Sequence, residues 1–457
     1  LEDRLATVNS PGKSDQAVRL LRALCIGTQT VEALIQQLGV SQPTLSRTIH
    51  EVGALRFRIK GQRTPLYGVL RSIPRVPSRQ PMYRVTEEGS VERVGTVNLL
   101  AGGQTAVEAE GGGAQLFDGL PPAMVFSSPS GFLGRHVAQQ VSKSHGLPAK
   151  LNLWSDDHRA AFLFTSEADA PGNLVFGDES LATMLAQRKA RPVVAPADKL
   201  AVYAASTRDV GHTIGGSSAG GEQPKFTCET ADVGHVIVKF ALAGTRTADL
   251  LVLEQLALSA LAAEGLPAAV TRLFKADGRV MMESQRFDRI GRFGRRAVVS
   301  AGAWDDENFG YRDSWSQFAD RCVRARHLPE SEADIIRSFA AFSELIGNDD
   351  THFENLSLML DAKGRPRAVA PAYDLLPMRY APQVSGIGDP PLTPVSPSVG
   401  SIGVSGAVWQ PAYAAACRFW KCAAAEKRLS APMRALAKAN LAVIGEFIEP
   451  LVQARGR

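Results

Sequence analysis

The chain has 457 residues, 45% of them hydrophobic and 21% charged, which excludes a disordered or fibrous protein and leaves room for two or three domains. A formal net charge of +5 and a pI near 9.0 favour a polyanionic partner. No apolar run is long enough to cross a membrane, LEDRLATVNSPGK shows no basic start followed by an apolar core, and the five cysteines are scattered and odd in number, so the expectation is a cytoplasmic protein with reduced thiols and no membrane partner.

In chain order, DQAVRLLRALCI carries apolar residues at helical spacing. TVEALIQQLG follows, with Thr30 suited to the N-cap and Gly39 to the stop. In VSQPTLSRTIHEVG, Ser41 can cap a third helix and Pro43 fits only its first turn. Two short helices joined by a tight turn at Gly39-Val40 make a helix-turn-helix. LRFRIKGQRTPLYGVL then alternates and breaks at Gly61-Gln62 like a β-hairpin. Residues 1–75 are therefore predicted to be a winged helix-turn-helix. They hold eleven lysines and arginines against five acids, which accounts for all the excess charge of the chain. Arg56, Arg58, Lys60 and Arg63 concentrate on the wing, with no acid between Gly53 and Leu70, as phosphate contacts require. Gln42, Thr44, Ser46 and Arg47, near the start of the third helix, are candidates to face base edges. DNA is the expected partner, and a homodimer is the common form of such readers. The alternative is a winged helix used only for protein contact.

RSIPRVPSRQP, residues 71–81, carries three prolines and reads as a linker. From Met82 to about Val210 the chain reads as rich in strands and turns, with YRVTEEGSVERVGTVNLLAGG as a meander and FDGLPP with SSPSGFLGRHVAQQV as a loop feeding a helix; this β-rich part is set at 76–210. Residues 211–313 combine a glycine-rich stretch, strands and a helix. Residues 314–457 are mostly helical, interrupted by VAPAYDLLP and a Pro/Gly/Ser-rich loop at 382–405. A strand-rich half before a helical half, with nucleotide-like motifs at the junction, predicts an α+β fold of the bilobal protein-kinase type.

Several stretches carry chemistry. TIGGSSAGGEQPKF, residues 213–226, lets backbone N–H groups approach an anion closely, although it lacks the Walker A pattern and also reads as a flexible hairpin. Lys239 sits in the apolar strand HVIVKF, either as a strand-edge charge or as a buried phosphate contact. Glu254, fifteen residues on in an amphipathic helix, is either its partner or a simple N-terminal charge. VMMESQRFDRI puts Gln285, Arg286 and Phe287 where a kinase hinge would meet adenine, or at an ordinary polar strand end. IGNDDTHFENLSLML places Asp350 five residues before Asn355, on a loop between a helix and a strand, which is the D-x₄-N spacing of a kinase catalytic loop. Asp374 follows an apolar strand in AVAPAYDLLP, where a second metal carboxylate belongs. His352 as a zinc ligand is disfavoured because no second histidine lies near.

With these residues in order, the chain resembles the HipA-type serine/threonine kinases of bacterial toxin–antitoxin systems, and within them the YjjJ-like (HipH-like) branch with an N-terminal helix-turn-helix. The catalytic-loop signature reads here Gly347-Asn348-Asp349-Asp350-Thr351-His352-Phe353-Glu354-Asn355-Leu356-Ser357. AYDLLP matches the metal segment, SAGGEQPK the phosphate loop, RFDR the hinge, and FDGLPP with GFLGR an N-terminal subdomain. The resemblance spans roughly residues 80–450. It implies ATP and Mg²⁺ as cofactors, Asp350 as general base, and Asn355 and Asp374 as metal ligands. It puts ATP against Gly220, Gly221, Glu222, Gln223, Pro224, Lys225 and Lys239, against the hinge Gln285, Arg286 and Phe287, and against His352, Phe353, Glu354, Asn355, Tyr373 and Asp374. It marks Ser218 as an autophosphorylation site, where added negative charge would disturb the phosphate loop. An antitoxin, or inhibition in cis by the fused reader, is implied as a partner, beside an unidentified protein substrate. Glu354 departs from the pattern, because it replaces a lysine next to the metal asparagine and removes positive charge near the γ-phosphate unless another cation compensates. Gln285, in place of a hinge glutamate, keeps a carbonyl acceptor. Two other classes stay open: a DNA-binding transcriptional regulator whose kinase-like half is weak or inactive, and a nucleic-acid-processing enzyme built on the paired acids.

Overall fold

The computed structural model describes residues 14–59, 61–166, 169–214, 223–382 and 389–453. Lys60, Ser218, Gly220, Gly221 and Glu222 lie outside the described residues. The chain forms two compact units. The first runs to Thr86 and takes in Ser90–Pro129 and Gly134–Ala190; the second holds Glu87–Gly89, Ser130–Leu133 and the chain from Arg191 onward.

The first unit opens with α1 (Asp15–Leu24), α2 (Val31–Leu38) and α3 (Gln42–Val52). The side-chain oxygens of Ser14, Thr30 and Ser41 accept from the amides of Ala17, Ala33 and Thr44, so each helix starts on a residue that satisfies an orphan donor. Gly39 and Gly53 end α2 and α3 at φ 66° and 64°, in the left-handed region that favours glycine. Leu20, Leu24, Leu34 and Leu45 fill the space between the helices. A two-stranded antiparallel hairpin of β1 (Leu55–Phe57) and β2 (Leu66–Gly68) follows the three helices.

The supposed linker is built into the structure. Ile73 and Val76 are buried in one core with Trp154 and Phe162. Arg71 donates from Nε to Asp157 Oδ1 at 2.8 Å and from Nη1 to the carbonyls of Leu100 and Gln104. β3 (Arg79–Val85) already begins inside the proline-rich stretch. Pro81 is tolerated in β3 because it only accepts there: Gly177 donates to its carbonyl, beyond the end of the ladder with β7. β4 (Val91–Leu99), β5 (Gln104–Ala109), β6 (Ala114–Asp118) and, after three helices, β7 (Leu174–Phe176) complete an antiparallel sheet of order β6-β5-β4-β3-β7. Those helices are α4 (Pro122–Ser127), α5 (Gly131–His145) and α6 (Asp156–Thr165), and α7 (Asp178–Ala190) follows β7. The expectation of strands and turns as far as Val210 holds only for its first part. α7 buries only Ser180 and Met184, so no apolar stripe announces it in the sequence.

In the second unit, β8 (Val193–Val194) and α8 (Lys199–Ile214) precede β9 (Lys225–Thr230), β10 (Gly234–Leu242), α9 (Arg246–Ala263), β11 (Thr271–Ala276) and β12 (Arg279–Gln285). The sheet order is β11-β12-β10-β9-β8, antiparallel except for β8 with β9. Tyr203 of α8 meets Phe226 and Phe274 edge-on over one face of this sheet, so α8 belongs with it. α9 buries Leu250, Leu251, Leu253, Leu258 and Leu261. The short ladder of β13 (Arg289–Ile290) and β14 (Gly294–Arg295) leads to β15 (Val298–Ser300), α10 (Ala301–Asn308), α11 (Trp315–Arg324) and α12 (Glu330–Ile346). β16 (Ser357–Leu360) pairs with β15 and β17 (Pro366–Val369) with β16 in a three-stranded sheet set into the helical part. α13 (Gly406–Ala425) and α14 (Ala431–Gln453) close the unit around Trp409, Phe419 and Trp420, whose indole donates to the carbonyl of Leu345. The α+β architecture is the one the sequence implied. Among the described residues no helix is long and apolar enough to cross a membrane.

Candidate active site

The second unit brings together residues more than a hundred positions apart. Lys239 lies mid-strand on β10, between Met282 of β12 and Lys225 of β9 in register, so its side chain shares a face with that of Lys225. Lys239 is 7% exposed and donates to Glu254 Oε1 at 2.6 Å; Glu254, on α9, is 2% exposed. Lys239 also pairs with Asp374. The lysine is buried, not a strand-edge charge, and the helix carboxylate is its partner. Burial pulls the ammonium below the ordinary lysine value, and Lys225 adds to that, while Glu254 opposes it.

Asp374 is set by backbone pairing. Ala372 donates to Pro267 O and accepts from Ala269, both at 2.9 Å, which ties the segment before Asp374 to the segment before β11. Asp374 itself has φ 51°. Left-handed backbone outside glycine is uncommon, and aspartate is one of the residues that tolerate it. Such conformations concentrate at functional sites.

The loop after α12 starts at Gly347, whose φ of 76° ends the helix. Asn348 is buried, and its Oδ1 accepts from the amide of Asp350 at 3.2 Å. Asn355 Nδ2 donates to the carbonyl of Asp350 at 3.1 Å, so its amide oxygen is the end left to serve as a ligand. The two adjacent acids therefore differ. Asp350 is half-buried and gripped on both sides of its peptide, whereas Asp349 is exposed on the rim of an open groove of about 470 Å³ with Glu344, Arg379 and Pro391. Phe353 is buried against Phe318 and fastens the loop to α11.

His352 stands between two carboxylates, with Nδ1 3.5 Å from Glu354 Oε2 and Nε2 3.9 Å from Asp350 Oδ1. Glu354, then Asp350, raise its pKa from the ordinary histidine value. The His352 contact, with Arg312 behind it, pulls the Glu354 carboxyl down to about 2. A histidine with a raised folded-state pKa stabilises fully below its unfolded value, and that contribution fades as pH rises through the folded value. In the absence of nucleotide, His352→Asn is expected to melt about 1 °C below wild type near pH 6, with the gap closing by pH 8.5, since both partners are half-exposed. A gap that widens with pH in paired thermal scans would contradict this.

At the hinge, Gln285 is exposed and its Nε2 donates to Val233 O at 3.2 Å. Arg286 is buried with its guanidinium forked onto Asp288 at 3.0 and 2.9 Å, a pair that Arg289 extends. The Arg286 side chain thus braces the hinge from within, and an adenine contact would fall to its backbone. Phe287 meets the Tyr373 ring with centroids 5.6 Å apart, and the Tyr373 hydroxyl donates to the carbonyl of Glu354 at 2.6 Å. Tyr373 thus links the segment of Phe287 to the loop that carries Glu354.

The residues fit a nucleotide and a hard cation. Gln223 Nε2 is buried without a partner, beside the strand that carries Lys225, and Pro224 accepts from the amide of Phe240 on β10. Asp374 and Asn355 offer hard oxygen donors. Among the described residues no group of three or more His, Cys, Asp or Glu could hold a metal alone. Mg²⁺ needs only one or two protein oxygens beside phosphates and waters.

In the first unit, Gln42, Ser46, Arg47, Arg56, Arg58 and Arg63 are exposed. Thr44 is half-buried, with its hydroxyl 3.0 Å from that of Ser41 in the exposed α3 cap. Arg312 was not legible as a site residue. It sits forty-two positions before Glu354 and donates to it at 2.7 Å. The acid at 354 was itself the only hint, since an anion beside a phosphate site calls for a cation nearby.

Two family models match the chain: one described as YjjJ-like toxin, middle domain, over residues 76–185, and one described as HipA-like C-terminal domain, over residues 217–439. Toxin YjjJ of Escherichia coli (strain K12) is 31% identical over 445 residues, covering 94% of this chain and 98% of the relative. Among solved structures, HipA of Shewanella oneidensis MR-1, in a complex with HipB and operator DNA, is 14% identical with a TM-score of 0.49, over 83% of this chain and 99% of that one. The Helicobacter pylori proinflammatory kinase CtkA is 12% identical with a TM-score of 0.37, over 51% of this chain and 93% of that one.

Proposed function

This chain belongs to the YjjJ-like toxin family, with a HipA-like C-terminal domain, and we propose that it is an ATP- and Mg²⁺-dependent serine/threonine protein kinase that binds DNA through its winged helix-turn-helix. The observation that carries the kinase reading is the buried Lys239 on β10, paired at once with Glu254 of α9 and Asp374. A core network has no need of a lysine shared between a helix carboxylate and a left-handed aspartate. A phosphate-binding site does.

In this reading Lys239 and Lys225 contact the nucleotide phosphates, and Asn355 and Asp374 hold Mg²⁺, which neutralises charge on the phosphates when bound. Asp350 accepts the proton of the acceptor serine or threonine hydroxyl. Phe287, Tyr373 and the backbone of Gln285 and Arg286 flank adenine. Ser218 is the proposed autophosphorylation site. Incubation of the full-length protein with γ-labelled ATP, comparing wild type with Asp350→Ala, tests the assignment. Nucleotide binding without any Asp350-dependent label on the protein or on added substrates would favour the rival reading, a DNA-binding regulator with an inactive kinase-like half.

The DNA reading rests on the exposed arginines of the wing together with Gln42, Ser46 and Arg47 of α3. Each phosphate contact contributes roughly 0.9 to the slope of log affinity against log salt. Replacing Arg56, Arg58 and Arg63 by alanine is therefore expected to flatten that slope by about 3 and to weaken binding roughly 10–100-fold near physiological salt. Fluorescence anisotropy with a labelled random-sequence duplex across a salt series reads both, and an unchanged slope would remove the wing from the interface. A DNA reader fused to the kinase gives control in cis without requiring a separate antitoxin.

A further inference from the structure

Glu354 replaces a cation, and the structure gives it an elaborate seat. Its Oε1 accepts from Arg312 Nη1 at 2.7 Å, while Arg312 closes its other edge on Asp306 with two bonds of 2.7 and 2.6 Å. Arg312 is held at φ 44°, a costly conformation for arginine. The amides of Tyr311 and Arg312 secure it by both donating to Asp305 Oδ2, at 2.7 and 2.9 Å. Asp305 is fully buried and paired with Arg321, which also grips Asp313. Under the pair lies Gly302, where a Cβ would fall 2.4 Å from Glu354 Oε1 and 2.9 Å from Arg312 Nη2. On the far side the backbone of Glu354 is held by Tyr373, and Asn355 follows it directly with its bond to Asp350.

An exposed ion pair alone contributes little. A strained arginine and a fully buried acid that fixes its turn are costs that a decorative pair would not justify. We propose that Arg312 and Glu354 form a clamp that positions the Asp350–Asn355 loop, with Arg312 as a positioning residue for phosphoryl transfer. This rests on the kinase reading above. The clamp acts through two short paths, Glu354 to Asn355 along the chain and Asn355 to Asp350 through its side-chain amide. Both the metal ligand and the base are displaced when it opens.

The test uses the full-length protein in four forms besides wild type: Arg312→Glu, the reversed pair Arg312→Glu with Glu354→Arg, Arg312→Lys, and Asp350→Asn. Two quantities are measured, the rate of label transfer at saturating ATP, and the affinity for a fluorescent ATP analogue with Mg²⁺ and with EDTA. Arg312→Glu is expected to slow transfer about 10–100-fold, the scale of a misplaced reacting group. It should lose the Mg²⁺-dependent gain in affinity while the EDTA affinity stays within about twofold, because Lys239 and the hinge are untouched. Arg312→Lys should recover most of both, and the reversed pair, which sets an acid against Asp306, only part. A merely structural pair would lower stability without separating the Mg²⁺ and EDTA affinities.

The proposal is overturned if Arg312→Glu keeps wild-type transfer and Mg²⁺ gain, or if Arg312→Lys is no better than Arg312→Glu. Should transfer be too slow to detect even in wild type, the Mg²⁺ gain decides alone: its loss in Arg312→Glu supports the clamp and its retention overturns it. Transfer that persists at the wild-type rate in Asp350→Asn sinks the assignment of Asp350 as the base, and the clamp with it. Transfer lost in Asp350→Asn but unchanged in Arg312→Glu sinks only the clamp.

Discussion

Asp350→Asn is expected to lower phosphoryl transfer by about 10²–10⁴-fold, the usual contribution of a positioned general base, while Asp349→Asn stays within about threefold of wild type, as an exposed substitution should. The contrast follows from the backbone rather than from residue type. Asn348 Oδ1 takes the amide of Asp350 and Asn355 Nδ2 takes its carbonyl, so one carboxylate stands on a peptide fixed at both ends. Asp349 has the same chemistry one residue earlier but is exposed at the rim of the neighbouring groove. Asparagine at 350 keeps the shape and removes only the proton acceptor, so a folded, nucleotide-binding variant that no longer transfers phosphate is the expected result. Equal losses in the two variants would mean that the five-residue step to Asn355 had selected the wrong acid.

That spacing was legible because it is local. A carboxylate and an amide five residues apart on one loop bring their groups together wherever the loop is placed, and the same holds for the helix ends. Thr30, Ser41 and Gly39 act within four residues, and all three do what their chemistry suggested. The errors arose where long-range packing decided. The prolines of residues 71–81 signalled a linker, yet Ile73 and Val76 are buried and Arg71 is held by Asp157, eighty-six residues away. Of helices α4 to α8, only α5 was announced, by GFLGRHVAQQV; α4, α6, α7 and α8 were read as strands and turns. The sheet of β15, β16 and β17 joins segments some sixty residues apart, and nothing in VVS announces a partner.

The site shows the same division. Glu254 could be weighed from the sequence as a partner of Lys239 or as a helix-end charge, and the two were indistinguishable until the sheet and α9 were built. Arg312 left no local signal, because its contact with Glu354 depends on a left-handed turn fixed by Asp305. Arg286 matched a hinge motif, but its guanidinium proved to be committed to Asp288. A motif assigns a position to an element, whereas the direction of the side chain is settled by which charge lies within reach.

Lys239→Met carries the second large effect, and it should appear in stability as well as activity. Phosphoryl transfer is expected to fall by about 10²-fold or more, since a cation aimed at the phosphates is lost from a site that works by positioning and electrostatics. The same change leaves Glu254, 2% exposed, without its cation. Removing one partner of a buried pair typically costs about 3–5 kcal/mol, because the remaining charge is uncompensated. Asp374 suffers less, since its side chain is 32% exposed and water can cover it. The combination Lys239→Met with Glu254→Leu removes both buried charges and should regain most of the lost stability in thermal or urea unfolding, while transfer stays at the level of Lys239→Met. This separates two roles that a single substitution confounds. If activity returned with stability, Lys239 would be a core ion pair and the phosphates would be held elsewhere. If stability returned alone, the lysine is kept in its costly buried position for the nucleotide.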